Sequence, residues 1–193
     1  MKLKALDINS DREICREAEK LYRQAFPREE RLPWWVLRLQ ARRKGIELTA
    51  WMDGDTFCGF TSSVTVQDLH FVLFLAVAED QRCRGRGSAI LSQLTGTYGS
   101  VVLNIELLDR EASNYDQRLR RLAFYEKNGF RDTGWFVWEV GGQFRVLSSA
   151  GKLDVDTYRK VFRRLSFGLW RVKLLQDPKG AYYTANAQGP AAT

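Results

Sequence analysis

The fold of this chain can be inferred from the stretch "AVAEDQRCRGRGSAIL", residues 76–91, which joins an apolar run to a helix-forming segment. Its basic residues and glycines are interleaved, at Arg82, Arg84, Gly85, Arg86 and Gly87. A strand that passes through a glycine-containing loop into a helix points several backbone N–H groups and the positive end of the helix dipole at one place. Glycine lets an anion reach this backbone without a Cβ in the way. The stretch therefore predicts a phosphate-binding loop.

Two well-known phosphate-binding loops do not match this spacing. A P-loop ends in Gly-Lys-Ser or Gly-Lys-Thr, and no such triplet follows Gly85 or Gly87. A dinucleotide-binding loop needs a third glycine, but Ile90 stands at that position. The loop is therefore expected to belong to another class of anion-binding protein.

Length and composition predict one folded domain. The chain has 193 residues, of which 45% are hydrophobic and 27% are charged, as in an ordinary globular protein. The longest apolar run, Phe71 to Ala78, has eight residues, whereas a membrane helix needs roughly 18 or more. The first residues, "MKLKALDINS", lack the apolar segment and the cleavage site of a secretory signal. We therefore expect a cytoplasmic protein without a membrane partner.

Cysteine, histidine and charge content narrow the choice of ligands. Cys15, Cys58 and Cys83 are scattered without a C-x-x-C motif, and His70 is the only histidine. This pattern predicts neither a disulfide framework nor a metal site. The net charge of +7 favours polyanionic partners such as nucleotide cofactors, RNA or anionic membrane surfaces.

Hydrophobic periodicity and turn residues predict an α/β domain. Ser10 is expected to cap the first helix, with Glu13 reaching back to it, and Pro27 to end it. The Asp53-Gly54 and Gly141-Gly142 pairs predict hairpin turns. The predicted strands span residues 2–8, 46–52, 56–66, 69–78, 100–109, 134–140 and 143–149. The later helices are predicted at residues 34–44, 87–98, 115–128 and 154–167, followed by a flexible tail over residues 176–193.

Two motifs give the chain a family resemblance. Arg82, Gly85 and Gly87 satisfy the pattern R/Q-x-x-G-x-G/A, between a predicted central strand and a helix. Farther along, "RRLAFYEKNGF" at residues 120–130 carries F-Y-E-K-x-G-F on a predicted helix. In this order, the two motifs resemble the signatures of the GNAT superfamily of acyl-CoA N-acyltransferases. The resemblance covers roughly residues 1–150.

The resemblance implies a single GNAT-like domain, residues 1–175, with a mixed central β-sheet flanked by helices and two strands that splay apart at the acyl-CoA site. It also implies which residues hold acetyl-CoA, the expected co-substrate. The positions that match the pantetheine-binding backbone are Leu75, Ala76 and Val77. The N–H groups expected at the pyrophosphate are those of Arg82, Cys83, Arg84, Gly85, Arg86, Gly87 and Ser88. Asn114 is the candidate for the family's usual asparagine, while Cys83 and Glu79 replace a glycine and a proline that many relatives have.

The resemblance further implies acyl transfer by direct attack of an amine. Tyr125 matches the tyrosine whose hydroxyl protonates the departing CoA thiolate in many relatives. Glu106, on the strand after the loop, is the first candidate for the general base. Glu29 and Glu30 are the second candidates, in a segment that usually lines the acceptor pocket.

The only histidine and three of the tryptophans are not expected to be catalytic. His70 is expected on the opposite face of its strand from the positions that carry catalytic groups in relatives. Trp34, Trp35 and Trp51 either line a pocket or fill the core.

The resemblance favours an acetyl-CoA-dependent N-acetyltransferase that acts on a primary amine without a metal. The expected partners are acetyl-CoA and a small-molecule or protein amine, with a homodimer left open and no nucleic acid. The alternative is a noncatalytic protein of the same fold, either an acyl-CoA sensor or an RNA-associated protein. Nucleic-acid binding would show a steep salt dependence, which acyl transfer need not show.

Overall fold

The computed structural model describes residues 2–139, 142–166 and 172–176. These residues form eight strands in one sheet and five α-helices. The strands are β1 (Lys4–Asp7), β2 (Ile46–Asp53), β3 (Thr56–Val66), β4 (Leu69–Val77), β5 (Ser100–Glu106), β6 (Arg131–Glu139), β7 (Gly142–Ser148) and β8 (Lys173–Gln176). The helices are α1 (Arg12–Ala25), α2 (Trp34–Gln40), α3 (Arg86–Thr97), α4 (Tyr115–Lys127) and α5 (Val155–Leu165).

The sheet is mixed, with the strand order β1-β2-β3-β4-β5-β7-β6-β8. β4 and β5 are parallel, and the other neighbouring strands are antiparallel. Parallel neighbours need a crossover connection, and α3 supplies it between β4 and β5. The prediction of an α/β domain with a mixed central sheet flanked by helices is confirmed.

The side chains of β4 show how the helices divide between the two faces of the sheet. Val72 and Leu75 pack in the core that α3 and α4 cover, whereas Phe74 and Ala76 pack in the core that α1 and α2 cover. The pairing with β3 skips Leu73, so β4 has a bulge at this residue. Because the bulge adds one residue, Val72 and Leu75 lie on the same face although they are three positions apart.

The sequence leaves open whether the last helix packs against this domain or against a partner, and in the structure α5 packs against this domain. Its Tyr158 and Phe162 are buried against side chains of β3, β4, β5 and β7. The Gln40 side-chain amide donates a hydrogen bond to the carbonyl of Leu165 at 2.6 Å, which joins the ends of α2 and α5. The last helix is therefore part of the same hydrophobic core as the sheet.

The cap of α1 differs from the prediction. The Asp11 carboxylate accepts hydrogen bonds from the backbone N–H groups of Glu13 and Ile14, at 2.7 and 3.1 Å. The Ser10 hydroxyl instead donates to the carbonyl of Asp7, because Ser10 belongs to a short 3-10 turn that precedes α1. The capping residue is thus one position later than predicted, and Asp at this position serves equally well.

Some elements are shorter than predicted, and one strand was not predicted. α2 ends at Gln40 rather than Lys44, because i to i+3 hydrogen bonds tighten the chain after the helix. β5 ends at Glu106 and α5 at Leu165. β8, which pairs with β6, was not predicted.

The flexible tail was predicted to begin at Gln176, but Gln176 is the last residue of β8 and pairs with Trp135. The rest of that predicted tail, residues 177–193, and the predicted turn at Gly141 lie outside the described residues. No helix in the described part of the chain is long and apolar enough to cross a membrane.

Candidate active site

A cleft opens where β4 and β5 separate. Their parallel pairing starts at Leu69 and Ser100 and ends at Val72 and Leu103. β4 then continues to Val77 with β3 as its strand partner among the described residues. The edge of β4 that faces away from β3 therefore carries backbone groups without a strand partner. The splay that the family resemblance implies is present, and the cleft has a volume of about 720 Å³.

Three further segments line this cleft: the turn after α1, the loop before α3, and one face of α4. The residues that line the cleft include Phe26, Glu30, Arg82, Asn104, Glu106, Asn114, Gln117, Arg121, Phe124, Tyr125 and Phe144. Those from α4 and its cap recur at intervals of three and four residues, the spacing of one helical face. The two sequence motifs thus border one cavity.

The loop before α3 has the backbone shape expected of an anion site. Gly85 is the N-cap of α3, with φ +75° and ψ 3°, a left-handed conformation that glycine adopts without steric cost. Cys83 also has a positive φ, of 59°. The first helical hydrogen bond runs from the Ala89 N–H to the Gly85 carbonyl at 2.9 Å. The N–H groups ahead of Ala89 have no intrahelical acceptor and point out of the end of the helix.

Gly87 brings α3 close to α4. A Cβ at this position would lie 2.9 Å from Cζ of Phe124, closer than carbon atoms pack. Phe124 lines the cleft and precedes Tyr125 in the second motif. The absence of a side chain at Gly87 therefore sets how closely the anion-binding loop and the tyrosine-bearing helix approach each other.

The three arginines of the loop do not act alike. The Arg82 side chain lines the cleft, and its Nε donates to the carbonyl of Val77 at 3.3 Å. Arg84 is exposed. Arg86 forms an ion pair with Asp53 at 2.6 Å and anchors the start of α3 to the β2–β3 turn. The Arg86 side chain is therefore engaged by Asp53 at the start of the helix.

Tyr125 lines the cleft and is 8% exposed. Burial raises the pKa of its hydroxyl to about 12, and the nearby Arg121 opposes that rise. The phenol is consequently protonated throughout the neutral range. In this state it can donate a proton to a group in the cleft but cannot act as a base.

Glu106 lies in the same cleft, and three side chains from α4 and its N-cap approach its carboxylate. The Arg121 guanidinium forms an ion pair with Oε2 of Glu106. Asn114 Nδ2 and Arg118 Nε lie 3.4 and 3.9 Å from Oε1. Asn114 is the residue before α4 and also accepts a hydrogen bond from Arg118 at 2.8 Å. The carboxylate is thus paired with cations and not simply solvated.

Glu29 and Glu30 separate in the structure. Glu30 is half-buried and lines the cleft, whereas Glu29 is exposed outside the lining. Asn104, on the same strand as Glu106, also faces the cleft and exchanges hydrogen bonds of 2.8 and 2.9 Å with the buried Tyr158 hydroxyl. α5 therefore supports the β5 side of the cleft from beneath.

His70 and the three tryptophans are not among the residues that line the cleft. His70 is buried, and its ring stacks on Tyr98 with a centroid separation of 3.7 Å. Trp34 and Trp51 are core residues, and Trp35 is 67% exposed on the surface. Of the two roles left open for the tryptophans, filling the core applies to Trp34 and Trp51, and lining the cleft applies to none.

Arg121 is a cleft residue that the motif comparison did not single out. It lies four residues before Tyr125, so both side chains lie on one face of α4. That spacing was a signal available in the sequence, but Glu106, the partner of Arg121, comes from another element.

In the part of the chain that the structure describes, no three His, Cys, Asp or Glu side chains lie close enough together to hold a metal ion.

The comparison with protein families agrees with this geometry. Residues 37–132 match the family described as the acetyltransferase (GNAT) domain, a range that contains the splayed strands, the loop before α3 and both motifs. The chain belongs to the GNAT superfamily. No curated protein sequence is a significant match to this GNAT chain.

Solved structures support the GNAT fold at low sequence identity. A protein described as a GNAT-family acetyltransferase from Bacteroides thetaiotaomicron is 20% identical, with a TM-score of 0.68 over 88% of this chain and 100% of that one. An aminoglycoside 6'-N-acetyltransferase complexed with coenzyme A is 16% identical, with a TM-score of 0.59 over 77% and 96%. The ribosomal-protein-S18-alanine N-acetyltransferase from Escherichia coli is 16% identical, with a TM-score of 0.55 over 76% and 91%.

Proposed function

We propose that this GNAT protein is an acetyl-CoA-dependent N-acetyltransferase in which a primary amine attacks the thioester directly. The observation that carries the proposal is the meeting of three features at one cleft. These are the strand edge freed by the splay of β4 from β5, the N–H groups at the start of α3 that have no intrahelical acceptor, and the buried phenol of Tyr125. Together they suit a long cofactor with an anionic middle and a reactive thioester end.

The residues of the cleft fit acetyl-CoA. The freed edge of β4 at Leu75, Ala76 and Val77 offers backbone donors and acceptors to the amide groups of the pantetheine arm. The N–H groups of residues 82–88 and the helix dipole suit the pyrophosphate, and a Cβ at Gly85 would have no protein atom within 4 Å, so space is open there. Asn114 lines the same cleft.

This arrangement supports acyl transfer in two steps: attack of the amine on the thioester, followed by breakdown of the tetrahedral intermediate. The amine nitrogen attacks the thioester carbonyl, so a C–N bond forms and the C–S bond then breaks. The departing thiolate takes the proton of the Tyr125 hydroxyl, which is protonated because burial raises its pKa to about 12. Water can return that proton to Tyr125 before the next turnover.

The proton that the amine loses needs an acceptor on the other side of the cleft. Glu106 is the first candidate, because its carboxylate lines the cleft beside Asn104. Glu30, which also lines the cleft, is the second candidate, and Glu29 is the weaker of that pair because it is exposed outside the lining. Glutamine at Glu106 or at Glu30 identifies the base through loss of the acid limb in the pH dependence of kcat/KM.

The charges that line the cleft indicate how many positive charges the amine acceptor carries. Two carboxylates, Glu30 and Glu106, line it together with two guanidiniums, Arg82 and Arg121. A lining without excess negative charge favours an amine with a single positive charge over a polycation. Two of the similar proteins are named for aminoglycoside and ribosomal-protein acceptors. For this chain the proposed acceptor is a primary amine, which an assay with different amines would identify.

The test is a measurement of CoA release from acetyl-CoA with a panel of monoamines, polyamines, aminoglycosides and peptides. Tyr125→Phe is expected to lower kcat by about 100-fold while acetyl-CoA binding is kept, because only the proton donor is removed. Tyr98→Phe is the matched control, since Tyr98 is also a phenol with a pKa of about 12 but does not line the cleft. Full activity of Tyr125→Phe at every pH would refute the acid role, and binding without CoA release across the panel would favour the noncatalytic alternative.

A further inference from the structure

The two oxygens of the Glu106 carboxylate have different surroundings. Oε2 is bound by Nη1 of Arg121. Oε1 lies 3.4 Å from Asn114 Nδ2 and 3.9 Å from Arg118 Nε, at and beyond the long end of the hydrogen-bond range. Arg118 already donates to Asn114 and to the carbonyl of Leu107, each at 2.8 Å. One oxygen is therefore firmly fixed, and the other keeps most of its capacity to accept a proton.

Arg121 is the only group with a firm hold on this carboxylate among the described contacts. Its side chain is 34% exposed and lines the cleft, whereas that of Glu106 is 14% exposed. A half-buried guanidinium beside a largely buried carboxylate favours the ionised form of the carboxylate. Tyr125 follows Arg121 by one helical turn, so one face of α4 carries both the proton donor and the partner of Glu106.

We infer that Arg121 is a positioning residue, which binds Oε2 of Glu106 so that the carboxylate stays ionised with Oε1 directed at the amine acceptor. The inference rests on the proposed function and assigns the orientation of its base. Oε1 takes the proton that the amine loses as the C–N bond forms, and Tyr125 gives its proton to the thiolate as the C–S bond breaks. One proton enters the protein at Glu106 and one leaves at Tyr125, so the step is balanced.

The charged groups around Glu106 predict how its titration depends on Arg121. α4 contributes Arg118 and Arg121, the loop before α3 contributes Arg82 across the cleft, and the turn after α1 contributes Glu30. On β7, the residue opposite Glu106 is Phe144, which is uncharged. Loss of the nearest cation makes the carboxylate easier to protonate, so the acid limb of the activity profile is expected to move to higher pH.

The experiment compares Arg121→Met and Arg121→Lys with Arg120→Met, an exposed arginine next in sequence that does not line the cleft. In Arg121→Met, the acid limb of kcat/KM is expected to move up by about one to three pH units, and kcat near neutral pH to fall by about 10- to 100-fold. The KM for acetyl-CoA should change little. Arg121→Lys should restore the limb in part, because it keeps the charge but not the fixed geometry. Arg120→Met should match the wild type.

A second measurement separates this inference from the proposed function. The Glu106 carboxyl carbon can be titrated by NMR in the free protein, with Glu106→Gln to assign the signal. A midpoint that rises by at least about one pH unit in Arg121→Met supports the inference whether or not an acceptor is found. An unchanged midpoint and an unchanged acid limb overturn it, even if the protein is an active N-acetyltransferase. Circular dichroism of Arg121→Met and of Arg121→Lys, which conserves the charge, shows whether a loss of activity comes from unfolding.

Discussion

Gly85 is the single residue on which the proposed anion site depends most directly. Its φ of +75° turns the chain so that the following N–H groups emerge together at the start of α3. Space beyond it is open, because no protein atom lies within 4 Å of the position that a Cβ would take. A side chain there would project into the region that the proposed function assigns to the pyrophosphate.

Replacement of Gly85 by Asp is expected to weaken acetyl-CoA binding by about 100-fold or more, because a carboxylate would face the phosphates at close range. Gly85→Asn is the matched control, since it has the same shape and Asn also tolerates a left-handed backbone. Isothermal titration with acetyl-CoA measures both. Equal affinities for the two variants would argue against a phosphate at this position.

At the scale of elements, the contact between α3 and α4 fixes the shape of the cleft. Gly87 in the first turn of α3 faces the ring of Phe124 on α4. Gly96 lies in the last turn of the same helix, and a Cβ there would meet no other atom within 4 Å. A side chain at Gly87 would therefore clash with α4, whereas a side chain at Gly96 would meet no steric obstacle.

Alanine at these two positions should have different effects on stability. Gly96→Ala is expected to raise the free energy of unfolding by about 0.5–1 kcal/mol, since alanine restricts the unfolded chain and favours the helix. In Gly87→Ala, that gain is offset by about 1 kcal/mol or more, because the Phe124 ring must move. Urea unfolding of both variants against the wild type provides the measurement. A Gly87→Ala variant as stable as Gly96→Ala would show that the helix contact is loose.

The elements also show where sequence reasoning succeeds. The helices and strands around the site were predicted within a few residues because caps, glycines and hydrophobic periodicity are local signals: Gly129, with φ +85°, ends α4 as expected. The cap at Asp11 and the early end of α2 were missed because short 3-10 turns compete with the helix over one or two residues. β8 was missed because it is short and depends on pairing with β6.

For the molecule as a whole, His70 couples stability to pH. It is fully buried, its Nδ1 lies 2.9 Å from the Thr65 hydroxyl, and its ring stacks on Tyr98. Among the described residues, Nε2 has no hydrogen-bond partner. Burial lowers the pKa of His70 to about 4, because the imidazolium cannot be solvated there.

The lowered pKa of His70 makes the folded protein less stable at acid pH. The pKa of about 4 in the folded protein is below the value of about 6.5 in the unfolded chain, so the contribution is fully present above about pH 6.5 and is lost as the pH falls through about 4. Between about pH 7 and pH 4.5, the free energy of unfolding should fall by about 2 kcal/mol more in the wild type than in His70→Gln, which does not titrate. Urea unfolding at the two pH values measures the difference. Parallel losses in both proteins would contradict the assignment, and since His70 is the only histidine no other imidazole contributes.

The sequence by itself predicted the order of the elements other than β8, the glycine-containing loop before α3 and the family, because glycine positions, hydrophobic periodicity and two short motifs are local features of consecutive residues. The tertiary structure alone decided which side chains meet. Arg86 turned out to pair with Asp53, far away in the sequence, and Glu106 with Arg121. The physical reason is that an ion pair depends on distances of a few ångströms between separate elements, and these distances are set by sheet pairing, the Leu73 bulge and helix packing.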